Sequence, residues 1–239
     1  MSDRRTAAAH VLVEDLDDLV LDGDDAHHLT RVLRLRDGES VTASDGSGRW
    51  RRCRFTASVL VADGDIEVDD PPAEVTVLFA LGKGDKPETV VQKLTELGVS
   101  RVVPFVAERS VVKWDADKAR RNVERLRKVA REAAMQSRQV FLPLIDDVQS
   151  SLHEAVSLVG DVAVAEPGGP DLDGSVAAVA VGPEGGFTPD ELSGQRTVSL
   201  PGGILRAETA AVVAGALLVD RRRCPSNRRP RRVAAAVVE

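Results

Sequence analysis

The chain has 239 residues, of which 43% are hydrophobic and only 3% aromatic, with no tyrosine. One large domain or two small ones can therefore bury an aliphatic core of Val, Leu and Ala, and the low aromatic content argues against a stacking platform for single strands. The formal net charge of -6 argues against a uniformly basic nucleic-acid binder, but the charge is unevenly spread. Asp15 to Asp25 is acidic, whereas Arg49 to Arg54, Lys118 to Arg138 and Arg221 to Arg232 are basic. Local basic patches are what phosphate contacts require.

In chain order, residues 1–72 carry short alternating runs at Val11–Val13, Glu39–Thr42, Arg52–Phe55 and Ile66–Val68. Turn signals separate them at Asp45-Gly46 and Asp63-Gly64, as in a small β-barrel. One helix interrupts at Asp25 to Leu35, with Leu29, Val32 and Leu33 on one face, and Asp70-Pro71-Pro72 is a linker. Residues 73–220 then alternate strands and helices. Val75 to Leu81 is a buried strand, and Pro87 opens a helix capped by Gly98. Arg101 to Ala107 is a strand, Asp117 to Ser137 a charged helix, and strands recur at Phe141–Ile145, Val162–Ala165, Val176–Val181 and Thr197–Leu200. The last helix, Arg206 to Val219, is apolar nearly all round and is expected to be buried. The pattern predicts an α/β fold with a mostly parallel sheet covered on both faces, and residues 221–239 form a basic tail expected to be disordered.

Two segments place glycines between a strand and a helix. Gly182-Pro183-Glu184-Gly185-Gly186-Phe187 surrounds one acid, read as buried, and leads into Thr188-Pro189-Asp190-Glu191, a capping box. Leu200-Pro201-Gly202-Gly203-Ile204-Leu205-Arg206-Ala207-Glu208-Thr209-Ala210 sets Arg206 and Glu208 in an apolar segment, where ions are costly unless paired or functional. A third motif, Glu132 to Arg138, ends the basic helix, and Leu94 to Val99 ends the first helix of the second region. Gly82-Lys83-Gly84 lacks the Gly-Lys-Ser/Thr of a phosphate loop, no G-x-G-x-x-G opens a βα unit, and no nucleophile elbow is present. His27-His28 and the two cysteines, Cys53 and Cys224, lack metal spacing, so no metal is expected. No signal peptide or membrane-length apolar run is visible, which points to the cytoplasm.

Leu94–Val99, Glu132–Arg138, Gly182–Phe187 and Ile204–Ala210, in this order, resemble the ribosomal small-subunit methyltransferase E family. His27-His28-Leu29 and Arg31-Val32-Leu33-Arg34 are similar to its opening helix, and the resemblance spans roughly residues 10 to 220. It implies methylation of N3 of a uridine in 16S ribosomal RNA, within the small ribosomal subunit, with S-adenosyl-L-methionine as cofactor. It also implies a PUA-like β-barrel followed by a SPOUT α/β trefoil-knot domain that works as a homodimer. The implied cofactor contacts are Ala165, Glu166, Gly182, Pro183, Glu184, Gly185, Gly186, Leu200, Gly202, Ile204, Leu205 and Thr209. Arg206, Glu208 and Arg138 are the candidate catalytic residues. Arg31, Arg34, Arg49, Arg51, Arg52, Arg131 and Gln136 are the candidate RNA contacts. Pro201 and Gly203 depart from the family pattern, and Pro201 removes one N–H donor. A 2′-O-ribose methyltransferase of the same fold and a non-catalytic RNA-binding assembly factor remain the alternatives.

Overall fold

The computed structural model describes residues 3–223 and builds them around two sheets. After a short helix α1 (Asp3–Thr6), the first sheet contains β1 (Ala9–Leu12), β2 (Ser40–Ser44), β3 (Arg49–Thr56) and β4 (Val59–Val68), in that order. The β1–β2 pairing is parallel and the other two are antiparallel. Trp50, Cys53 and Phe55 of β3 are buried, and a bulge between Arg51 and Cys53 lets two arginines fall between inward residues.

The helix expected at Asp25 to Leu35 is shorter and irregular. An α-helical segment, α2 (Gly23–His27), passes into a π turn at His28–Val32, closed by Leu33 N–H donating to the His28 carbonyl at 2.9 Å. The i→i+5 bond widens the turn. Leu29 stays buried, while Val32 and Leu33 rotate out of its face to 60% and 45% exposure.

The second sheet is wholly parallel. It runs β10 (Arg196–Val198), β8 (Ala163–Ala165), β9 (Ala178–Val181), β5 (Thr76–Ala80), β6 (Arg101–Phe105) and β7 (Leu144–Ile145). Side chains alternate across it. Val77, Phe79, Val179 and Val181 join one core with Val90, Leu94, Leu126, Ala211 and Leu218. Leu78, Ala80, Ala178 and Ala180 join another with Leu152, Ala155 and Phe187. The first face is covered by α3 (Lys86–Leu97), α4 (Ala116–Ser137) and α7 (Ala207–Arg223), the second by α5 (Leu152–Val159). Pro87 lies in the first turn of α3, and Gly98 caps it with φ 84°. The short helix α6 (Pro189–Leu192) carries the expected capping box between Thr188 and Glu191.

Two further expectations change. The strand expected at Phe141–Ile145 contracts to β7, because Phe141 bridges to Ser47 and Leu142 N–H donates to the Gly46 carbonyl. That stretch therefore pairs with a turn of the first sheet. The helix α7 is buried along one face only, at Ala211, Ala214, Gly215 and Leu218. Val212, Val213 and Ala216 remain half-exposed, because a helix lying on a sheet covers only the stripe that faces it. It also continues through Arg223, so residues 221–223 are helical, and the rest of the expected tail lies outside the described residues. Among the described residues, no helix is long and apolar enough to cross a membrane.

Gly215 sets the distance between α7 and α3. A Cβ there would come within 2.5 Å of Leu94 Cδ2 and 3.1 Å of Val99 Cγ2, both on buried residues. Gly215→Val should destabilise the chain by about 1–3 kcal/mol through overpacking, read as a lower urea midpoint at unchanged slope.

Candidate active site

The parallel order β10-β8-β9 brings three carboxyl ends side by side, where ligands of open α/β sheets bind. From β8 comes 165–168, from β9 182–186, and from β10 199–205. The first and third are laced together. Glu166 N–H donates to the Val198 carbonyl at 2.9 Å, Ser199 N–H to Pro170 at 2.6 Å, and Asp171 bridges Ser199. Gly169 permits this approach, since a Cβ would lie 2.9 Å from the Val198 carbonyl carbon. The middle loop turns at Gly186 (φ 68°), and its Gly185 carbonyl accepts from Arg109 Nη1 at 3.0 Å. Gly182 packs flat on Phe187, whose ring stacks on Phe105 at 6.3 Å.

Ala165, Glu166, Gly182, Pro183, Gly186, Leu200 and Leu205 are half-buried at this edge, while Gly185, Gly202 and Thr209 are exposed. Ile204 is 96% exposed, an unusual state for an isoleucine. Glu184, read from sequence as a buried acid, is instead an exposed one, its side chain 58% accessible. The loop carries it outward, and an ion pair rather than burial fixes it. Its partner is Lys86, whose Nζ also lies 3.5 Å from Glu208 Oε2. The hydrogen bond from Lys86, then its charge, hold the Glu184 carboxyl below the ordinary carboxylate range, and Lys83 and Arg206 add to this. Arg206 is exposed just ahead of α7, and its carbonyl accepts from Ala210 N–H.

The structure thus gathers Glu184, Glu208 and Arg206 at one edge but places Arg138 elsewhere. Arg138 is the left-handed cap of α4 (φ 60°), and its Nη1 donates to the Arg4 carbonyl. It lines a groove of about 950 Å³ between the first sheet and α4, with His10, His28, Arg127, Lys128, Arg131 and Gln136. Arg131 is engaged within the chain, donating to Asp25, Asp22 and the Leu12 carbonyl. Arg51 is likewise bonded to the carbonyls of Leu16 and Gly64. Arg31, Arg34, Arg49, Arg52 and Gln136 are exposed. Sequence reasoning missed Lys86 and Arg109. A signal existed for Lys86, a cation in the first turn of a helix, where the macrodipole disfavours it.

The glycine loops fit a nucleoside cofactor. Cβ atoms at Gly186 and Gly203 would meet nothing within 4 Å, so bare backbone faces open space. Ile204 and Leu205 offer apolar surface for a base, and the Glu184 and Glu208 carboxylates suit a cationic group. Among the described residues, no cluster of three or more His, Cys, Asp or Glu could hold a metal.

The family model for an RNA methyltransferase domain matches residues 69–219, and that for an RNA methyltransferase PUA domain matches 21–58. The chain is 32% identical over 229 residues to ribosomal RNA small subunit methyltransferase E of Bacillus subtilis (strain 168), across 84% of this chain and 90% of that one. The chain belongs to the ribosomal RNA small subunit methyltransferase E family. The member from Mycobacterium bovis is 34% identical over 228 residues, covering 82% of this chain and 83% of its own. A crystal structure of the family member from Neisseria gonorrhoeae bound to S-adenosyl methionine matches with TM-score 0.72 at 25% identity, over 88% of this chain and 96% of that one.

His10, beside Arg138 in the groove, is buried with Nδ1 2.8 Å from Thr42 Oγ1 and Nε2 3.2 Å from the Gln139 carbonyl. Desolvation, then the Arg4 and Arg138 charges, lower its pKa to about 4, outweighing the Gln139 bond. The unfolded chain, with an ordinary His, binds the proton more readily. Stability is therefore full above about pH 6.5 and is lost as the pH falls toward 4. Urea midpoints should decline across that window by about 3 kcal/mol in stability, and His10→Gln should flatten this decline.

Proposed function

We propose that this chain transfers the methyl group of S-adenosyl-L-methionine to N3 of a uridine in 16S ribosomal RNA, within the small ribosomal subunit in the cytoplasm. The observation that carries the reading is the meeting of three glycine-rich loops at adjacent strand ends, with Arg206 and Glu208 on the last. The cofactor would be held by Ala165, Glu166, Gly182–Gly186, Leu200, Gly202, Ile204, Leu205 and Thr209. Bound there, it supplies an electrophilic methyl on a sulfonium.

The N3 proton of uracil must leave before or during attack on that methyl. Arg206, exposed at the start of α7, stabilises the negative charge that develops on the imide. Glu208 accepts the proton or orients Arg206. Arg138 holds an RNA phosphate in the groove beside α4, and exposed Arg31, Arg34, Arg49, Arg52 and Gln136 extend that track. Arg51 and Arg131 would join it only by exchanging their present carbonyl and carboxylate partners for phosphate.

The finer architecture belongs to the same reading. Residues 1–72 form a PUA-like barrel and 73–220 a SPOUT domain whose C-terminal segment is knotted. Support for the knot comes from α7, which follows edge strand β10 yet packs on central β5 and β9. Support for a homodimer comes from Val212, Val213 and Ala216 on the outer side of α7 and from Ile204. Sedimentation at micromolar concentration should give a dimer, and a monomer alone would count against it.

The function is tested on small subunits from a strain lacking this gene, with the methyl located by mass spectrometry. Methyl on a uracil N3 is expected, and methyl on a ribose or none at all overturns the reading. Arg206→Ala should cut turnover by about a hundred- to thousandfold and leave cofactor affinity near wild type.

A further inference from the structure

We infer that Lys86 is a positioning residue: it ties the middle glycine loop, through Glu184, to the first turn of α7, through Glu208. The inference rests on the cofactor reading above and adds the group that holds two of its loops in register. Three features of the chain converge on it.

The first is the contact itself. Lys86 Nζ hydrogen-bonds Glu184 Oε1 and stands 3.5 Å from Glu208 Oε2. The two carboxylates come from separate segments, one after β9 and one after β10, strands that β8 separates in the sheet. No backbone hydrogen bond between the 182–186 loop and the start of α7 appears among those of the described residues. A side chain reaching both is what joins them.

The second is local cost. Lys86 occupies the first turn of α3, whose cap Asp85 makes no side-chain hydrogen bond, so the helix gains nothing from a cation there. Its ammonium is stabilised instead by the Glu184 and Glu208 carboxylates. Glu208 Oε2 is itself buried without a well-formed hydrogen bond, which leaves the Lys86 charge as its compensation.

The third is the room made for the stem. Gly82 has no need of a left-handed conformation, yet a Cβ there would lie 3.2 Å from Lys86 Cδ and 3.3 Å from Lys86 Cβ. Its hydrogen lets the lysine stem lie along the loop after β5 and point at the two acids. The small apolar pocket beneath, lined by Phe79, Val90, Val181 and Ala207, packs against the same stem. On the far side of the loop, Arg109 holds the Gly185 carbonyl, so the loop is gripped by a cation on each flank.

The test is titration of the full-length protein with S-adenosylmethionine by calorimetry, alongside urea midpoints. Lys86→Met should raise the cofactor Kd and KM by about three- to tenfold, and it should lower the urea midpoint modestly because Glu208 Oε2 loses its cation. Lys86→Arg, which can reach both carboxylates, should return Kd to within about twofold. Glu184→Gln should raise Kd similarly, and the double variant Lys86→Met with Glu184→Gln should be no weaker than either single one, because the two act as one unit. An unchanged Kd in Lys86→Met, or additive losses in the double variant, overturns the inference while leaving the cofactor reading in place. A wild-type protein that binds no S-adenosylmethionine overturns the cofactor reading and this inference with it.

Discussion

A parallel strand delivers its carboxyl end to the same edge as its neighbours, and here the three strands at one side, β10, β8 and β9, are out of sequence order. Everything at the candidate site follows from that. The loops leaving those strands are distant in the chain but must emerge side by side, and glycines let them lie close enough to share hydrogen bonds. The lacing of 166–172 to 198–199 is made mainly by backbone groups, with one side-chain bond from Ser199 Oγ to Asp171 Oδ1 at 3.3 Å, so it constrains position with little demand on side chains. Side-chain identity is then free for chemistry at Glu184, Arg206 and Glu208. Ile204, in the third of these loops, is left 96% exposed.

The helix α4 carries the second constraint. Its middle packs on the parallel sheet through Leu126 and Ala130, while Met135 near its end packs on the core of the first sheet. One rigid helix therefore sets the angle between the two halves. The acidic stretch completes the join, with Asp22, Asp24 and Asp25 pairing to Arg131 and Lys128. Exposed pairs of this kind contribute little stability each. Asp25 differs because it is buried, and desolvation raises its pKa against the pull of Arg131. Much of the local charge asymmetry seen in the sequence is thus consumed in holding the halves together, and a net charge of -6 says little about what reaches the groove.

Local signals were legible. Pro87 and Gly98 bracket α3, Thr188 and Glu191 form their capping box, and the continuous apolar runs became the central strands. What was not legible depended on partners far along the chain. Phe141 leaves the parallel sheet because a turn at Ser47 takes its pairing, and Gly48 is a glycine because the Phe141 ring would meet its Cβ at 2.4 Å. The widened turn at His28 moves Val32 and Leu33 off a face that a regular helix would have shared with Leu29. At the site, the motif glycines were legible from strand-to-helix spacing, but Glu184, read as a buried acid among three glycines and a proline, is exposed, its side chain 58% accessible.

Lys86 shows why the remaining part of the site escaped notice. It lies about a hundred residues before its acidic partners, in a segment whose phosphate-loop likeness was too weak to interpret, and its only mark is a mismatch with the helix it opens. Sequences that specify a fold agree across levels, and positions where local preference loses are concentrated where tertiary contacts or function override it. A cation in a helix's first turn, beside an uncapped Asp85 and opposite a glycine that merely makes room, is such a position. The same reasoning separates Arg138 from Arg131. Arg138 adopts a left-handed conformation at the end of α4, a strained state for a side-chain-bearing residue, whereas Arg131 sits comfortably within the helix and satisfies its guanidinium on neighbouring acids. Arg138 is thus held by the end of α4 and by the Arg4 carbonyl, and Arg131 by acids, so two cations of one groove are fixed in different ways.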